Sequence, residues 1–99
     1  MQRAASMLAL LIVLAGGASA DDIDHERALE LLREGRIRPL SEVVEAVRRE
    51  VPGELLKVEL ELEDGAYVYE LKILRPEGRV QEIEADAATG KILDIEGDD

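Results

Sequence analysis

The sequence contains no cysteine, no phenylalanine and no tryptophan, and only one histidine. Without cysteine there is no disulfide, no thiolate and no attachment point for a lipoprotein anchor. Aromatic residues are limited to Tyr67 and Tyr69, so a core has to be built from Leu, Val and Ile. A single histidine, His25, cannot supply a His-Glu-x-x-His zinc motif. Beyond residue 20 there is one serine, Ser41, and one threonine, Thr89. Ser41 reads as a helix N-cap, Thr89 falls in a turn, and His25 lies beside Asp24 and Glu26 as a solvated residue. Carboxylates are plentiful, but glycosidase chemistry needs a cleft that holds two of them at a set spacing. A domain this small, with no aromatic platform, is not expected to form one. The chain therefore reads as a non-enzyme with no cofactor and no metal site.

The N-terminus has a different character. Arg3 precedes a continuous apolar run from Leu8 to Ala15, too short for the about 20 residues that span a bilayer. Gly16-Gly17-Ala18-Ser19-Ala20 follows, with small residues at 18 and 20, and then the acidic Asp21-Asp22-Ile23-Asp24. That order predicts a signal peptide over 1–20, cleaved after Ala20. The expected destination is the periplasm, with the extracellular space as the alternative.

Cleavage would leave 21–99 as one domain with no membrane span. Arg3 departs with the leader, so 12 basic residues become 11 against 23 acidic ones, and the formal charge moves from −11 to −12. Nucleic acid and anionic membranes repel such a chain, while basic partners and cations attract it. Asp94, Glu96, Asp98 and Asp99 gather oxygen ligands near the C-terminus. They lack the spaced Asp loop with a distal Glu that makes a specific calcium site, so residues 96–99 are expected to be a frayed acidic tail.

Periodicity gives the elements. Ile23, Ala28, Leu31 and Leu32 predict a first helix from about Asp24 to Glu34, stopped by Gly35. Leu40, Val43, Val44, Val47 and Val51 stripe a second helix over Glu42 to Glu50, closed by Pro52-Gly53. Leu56, Val58, Leu60 and Leu62 then alternate with Lys57, Glu59, Glu61 and Glu63, the pattern of a half-buried strand. Asp64-Gly65 predicts a two-residue hairpin turn into a strand over Ala66 to Leu74. Such a turn pairs Leu62 with Tyr67, Leu60 with Tyr69, Val58 with Leu71 and Leu56 with Ile73, all apolar. A third strand over Val80 to Asp86 would pair Leu71 with Ile83, Tyr69 with Ala85 and Lys72 with Glu82. A short last strand is expected over Lys91 to Ile95. The fold class is α+β: two N-terminal helices on one face of a three- to four-stranded antiparallel meander. The opposite, wet face presents Lys57, Glu59, Glu61, Val68, Glu70, Lys72, Glu82 and Glu84, with Leu74 and Val80 as an apolar patch at one end. These ten residues are the candidate partner-binding surface, and an open sheet edge is a second mode of peptide binding.

The layout and its motifs resemble the PepSY domain. Ile83-Glu84-Ala85-Asp86-Ala87-Ala88-Thr89-Gly90-Lys91-Ile92-Leu93 is similar to the family's pattern of apolar residue, Asp, two variable residues, Thr-Gly, charged residue and apolar pair. Val51-Pro52-Gly53 and Tyr69-Glu70-Leu71 match two further family positions in order. Ala85 stands where Val is commoner. Asp86, Thr89 and Gly90 read as a structural turn, with Asp86 accepting from backbone amides and Gly90 at positive φ. The resemblance implies a domain that restrains or regulates peptidases, wall hydrolases or sensor proteins of the cell envelope. The alternative is an acidic cation-binding or envelope-stress protein with no specific protein partner.

Overall fold

Residues that alternate apolar and charged side chains around an Asp-Gly turn set the centre of the fold. The computed structural model describes residues 21–97. The expected leader, residues 1–20, and Asp98 and Asp99 of the expected tail lie outside the described residues. In chain order the elements are β1 (Asp21–Asp22), α1 (His25–Arg33), α2 (Leu40–Glu50), β2 (Glu54–Glu63), β3 (Ala66–Leu74), β4 (Val80–Asp86) and β5 (Ile92–Gly97). The strands form one antiparallel sheet in the order β1-β2-β3-β4-β5. This is the expected α+β arrangement of two helices and a meander, with β1 as an unforeseen addition.

The β2–β3 hairpin turns through Asp64 at φ 49° and Gly65 at φ 82°, both left-handed, as a two-residue turn between twisted strands requires. Leu62, Leu60 and Val58 face Tyr67, Tyr69 and Leu71 as expected. The expected fourth pair, Leu56 with Ile73, does not form. A bulge between Leu55 and Lys57 puts Leu55 opposite Ile73 and leaves Leu56 48% exposed. One extra residue in a strand reverses which neighbour faces inward. On the other side of β3, Leu71 pairs with Ile83, Tyr69 with Ala85 and Lys72 with Glu82. The last strand starts one residue later than expected and runs two further. Glu96 and Gly97 pair with Glu82 and Gln81, so this half of the expected frayed tail belongs to the ladder.

Both helices start from local chemistry. Asp24 caps α1, its carboxylate accepting the Arg27 backbone N–H at 2.8 Å. Gly35 at φ 74° ends it, with the Gly35 N–H donating to Leu32 O and the Arg36 N–H to Leu31 O. Ser41 does not cap α2. That helix begins at Leu40 on Pro39, whose carbonyl accepts the N–H groups of Glu42 and Val43 and whose φ of −54° the ring holds close to helical. Leu31, Val43 and Val47 from the helices, Ile37 from their linker and Val51 at the C-cap of α2 bury against Leu60, Tyr69, Leu71, Ile73, Ile83 and Ala85 of the sheet. The core is thus one layer between the helices and a single sheet face. No helix among the described residues is long and apolar enough to cross a membrane.

Gly53 carries the chain from α2 into β2 at φ 155°, pressed against β3. A Cβ there would run into the Leu74 carbonyl and lie 2.6 Å from Ile73 Cγ2. Gly53→Ala is therefore expected to cost about 2–3 kcal/mol through overpacking and backbone strain. Urea denaturation followed by circular dichroism checks this, and an unshifted midpoint would contradict the close approach.

Candidate functional site

A sheet that packs helices on one face needs only polar residues on the other; nothing in that requirement fixes their sign. Here the outer face is mostly acidic, and register stacks the acids in transverse rows. Glu59, Glu70, Glu84 and Asp94 face one another across β2, β3, β4 and β5. Beside this row, Asp22 pairs with Glu61, Glu61 with Val68 and Val68 with Asp86. On the other side lie Lys57, Lys72, Glu82 and Glu96. The two lysines face each other, and each has an acidic neighbour: Lys57 Nζ lies 3.6 Å from Glu59 Oε2, and Lys72 Nζ 3.6 Å from Glu82 Oε2. A shallow depression between them is lined by Lys57, Glu59, Glu70, Lys72 and Glu82.

Like charges directly opposite each other destabilise a sheet, by roughly 0.2–1 kcal/mol per pair. The row of four carboxylates therefore works against the isolated fold. Glu61, in the neighbouring row, has its pKa raised from 4.5 to about 7, first by burial and then by Glu70, Asp22, Glu63 and Glu59. Glu84 is raised as well, by burial and then by Glu63, Asp94, Glu70 and Glu96.

Eight of the ten sequence-derived surface residues are at least partly open on this face: Lys57, Glu59, Glu70, Lys72, Leu74, Val80, Glu82 and Glu84. Leu74 and Val80 are cross-strand partners, so the apolar end patch is contiguous. Two residues differ. Val68 is 3% exposed and Glu61 8%, although both point away from the helical core. Val68 sits between Glu61 and Asp86 in its row and offers a partner almost no surface. Glu61's burial is not legible in the sequence, because β1, which pairs beside it, is only two residues long. Ile23 was the available signal: its N–H donates to Leu60 O at 2.9 Å and its side chain packs on the core, anchoring the two residues before it along β2.

The Asp86 turn is held by its own hydrogen bonds. Asp86 Oδ1 accepts the backbone N–H groups of Ala88 and Thr89 at 2.8 and 3.1 Å, and Gly90 closes the turn at φ 81°. Thr89 Oγ1 accepts the Lys91 N–H. The turn is sewn to the interhelical linker by the Arg38 N–H to Ala87 O at 2.7 Å and by Arg38 Nε to Ala88 O at 2.9 Å. The Tyr69 hydroxyl donates to Arg38 O at 3.1 Å from the sheet side. Burial raises the pKa of that hydroxyl, consistent with its role as a fixed donor. His25, Ser41 and Thr89 are exposed, and no hydrogen bond joins any two of them among the described residues.

A family model described as the peptidase propeptide and YPEB domain, PepSY, matches residues 39–96. No curated protein and no solved structure matches the chain significantly. The matched segment takes in α2, β2, β3, β4 and nearly all of β5, including the turn at Asp86 and the Tyr69 anchor, and leaves out β1 and α1. It covers more than half of the sequence, and the chain belongs to the PepSY family.

Proposed function

We propose that this chain is a non-catalytic, exported interaction domain that binds and regulates a peptidase, wall hydrolase or sensor protein of the cell envelope. The observation that carries the reading is the row Glu59, Glu70, Glu84 and Asp94 on a sheet face that no helix among the described residues covers. A fold that needs only solubility gains nothing from setting four carboxylates opposite one another. A partner with a basic surface would relieve that repulsion on docking, and charge complementarity would speed its approach. The family's description as a peptidase propeptide domain supports a hydrolase as the partner class. The leader-like sequence of residues 1–20 supports export, with the periplasm as the site of action.

Capture from an envelope extract tests this. The native chain is expected to retain a peptidase, wall hydrolase or sensor protein, identified by mass spectrometry and released by salt. The triple variant Glu59→Lys, Glu70→Lys and Glu84→Lys is expected to retain about tenfold less, while Leu29→Glu on the exposed side of α1 retains as much as the native chain. Circular dichroism of both variants verifies folding. Capture of no such protein, or capture lost with Leu29→Glu and kept by the triple variant, would overturn the reading.

A further inference from the structure

A strand at the edge of a sheet leaves backbone N–H and C=O groups without partners, and a further strand can take them up. On the β2 side, β1 pairs with Leu62 and Glu61, the Ile23 N–H takes Leu60 O, and a bulge interrupts β2 further along. On the β5 side, no strand among the described residues pairs with the free flank of Ile92–Gly97. Sheet edges are commonly blunted by proline, by lysine or by a bulge. β5 has no proline and no lysine, its bulge lies at its start, and the ladder from Asp94 to Gly97 runs without another. The side chains along this edge define what would pair with it. Ile95 faces the fully buried Ile83, yet Ile95 is 44% exposed and takes no part in the core packing. The apolar layer beneath the helices therefore runs out to the edge and stays open there. On the opposite face, Asp94 ends the row that starts at Glu59, and Glu96 ends the row of Lys57, Lys72 and Glu82. Neither Asp94 nor Glu96 has an ion pair among the described residues.

We propose that the free edge of β5 takes up an extended segment of a partner protein with a basic–apolar–basic triplet, as a further strand of the sheet. The two basic residues face Asp94 and Glu96, and the apolar residue between them covers Ile95 on the other face. Opposite charges set across neighbouring strands are favourable, main-chain hydrogen bonds supply affinity, and the alternating side chains supply specificity. A second copy of this chain is a poor occupant. Antiparallel pairing of β5 with itself, with Ile95 kept on the apolar side, brings Asp94 and Glu96 of one copy against the acids of the other, and like charges directly opposite destabilise a sheet. The proposal rests on the reading of this chain as an interaction domain and names the form of segment it engages, at the edge of the sheet and not on its face.

Nuclear magnetic resonance titration of the isotope-labelled chain, at neutral pH and physiological salt, reads this with a short synthetic peptide of alternating lysine and valine, blocked at both ends. No envelope extract is involved, so failure here leaves the capture experiment intact, because a partner can dock on the sheet face without adding a strand. Binding is expected to saturate with a Kd below about 1 mM, and the amides that shift most are those of Ile92–Gly97. The same peptide methylated on its backbone nitrogens keeps its charge and side-chain order but cannot donate to the edge, and is expected to bind at least about tenfold more weakly. A peptide of alternating glutamate and valine is expected not to bind. Asp94→Asn with Glu96→Gln weakens the lysine peptide at least about threefold while circular dichroism shows an unchanged fold. Glu26→Gln with Glu30→Gln, which removes the same charge from α1, leaves the Kd unchanged. No saturable binding below about 10 mM, equal binding of the methylated peptide, or a loss as large in the α1 variant as in the β5 variant would overturn strand addition at this edge. Dimers of the chain alone that shift the same β5 amides would overturn the choice of occupant in favour of a second copy.

Discussion

Truncating Ile83 to Ala is expected to leave the chain mostly unfolded at about 25 °C. Ile83 is fully buried at the centre of β4, between Leu71 on one side and Ile95 on the other. Removing a buried aliphatic side chain down to Ala costs about 2–5 kcal/mol, through lost burial and the cavity left behind. A single core of this size supplies only about 3–5 kcal/mol in total. Nothing else in the molecule compensates. There is no disulfide, no phenylalanine and no tryptophan, and the largest fully buried side chains are Leu, Ile and Val. Urea denaturation should show a lost or truncated folded baseline for Ile83→Ala. Leu93→Ala, at a side chain 50% exposed, should shift stability by no more than about 0.5 kcal/mol. A loss below about 1 kcal/mol at Ile83 would mean that the core lies elsewhere.

The second large effect runs in the opposite direction. At about pH 8, Glu61→Gln is expected to stabilise the chain by about 2 kcal/mol. The folded pKa of Glu61 is raised, from 4.5 to about 7. Well below 4.5 the group is protonated in both states and contributes no difference. Between 4.5 and about 7 the unfolded chain releases the proton first, so the folded state holds more protons and stability falls as pH rises. Above about 7 the full penalty is present, up to about 3 kcal/mol. Glu84, shifted the same way, adds to the slope. Thermal melts at about pH 5 and 8 should therefore show the native chain losing stability with rising pH, and Glu61→Gln losing much less. A variant less stable than the native chain at the higher pH would show that the ionised carboxylate has a favourable partner.

The strands were legible because period two leaves little choice. Once Asp64-Gly65 fixes the turn, Leu62, Leu60 and Val58 can meet only apolar residues in one register, and a slip would set them against Glu and Lys. Bulges are invisible to that logic. The alternation carries on smoothly through Leu56, yet the backbone inserts one residue there and Leu55 takes the inward place. The same limit hid the second bulge, between Glu84 and Ala85, which shifts the pairing of β5. Ser41 misled for a different reason. A serine at a helix start is a strong capping signal, but Pro39 had already set the backbone two residues earlier.

The candidate face was legible residue by residue, and its electrostatics were not. The sequence placed Glu59, Glu70 and Glu84 on the wet side but could not show that register would align them with Asp94 in one row. It also placed Val68 and Glu61 in the open, whereas their neighbours bury them. Burial on an outer face depends on which strands lie alongside, and β1 is too short to have a periodicity of its own.

Solubility and a basic partner would each draw on the same acidic face, and contact mapping separates the two. Photo-crosslinking amino acids placed at Glu70 and Glu82 on the sheet face, and at Leu29 and Arg33 on α1, would be activated in the living cells that produce the protein. Crosslinks to an envelope peptidase, wall hydrolase or sensor protein are expected from positions 70 and 82, and none from 29 and 33. Crosslinks from the helix positions alone, or none from any position, would contradict a partner on the acidic sheet.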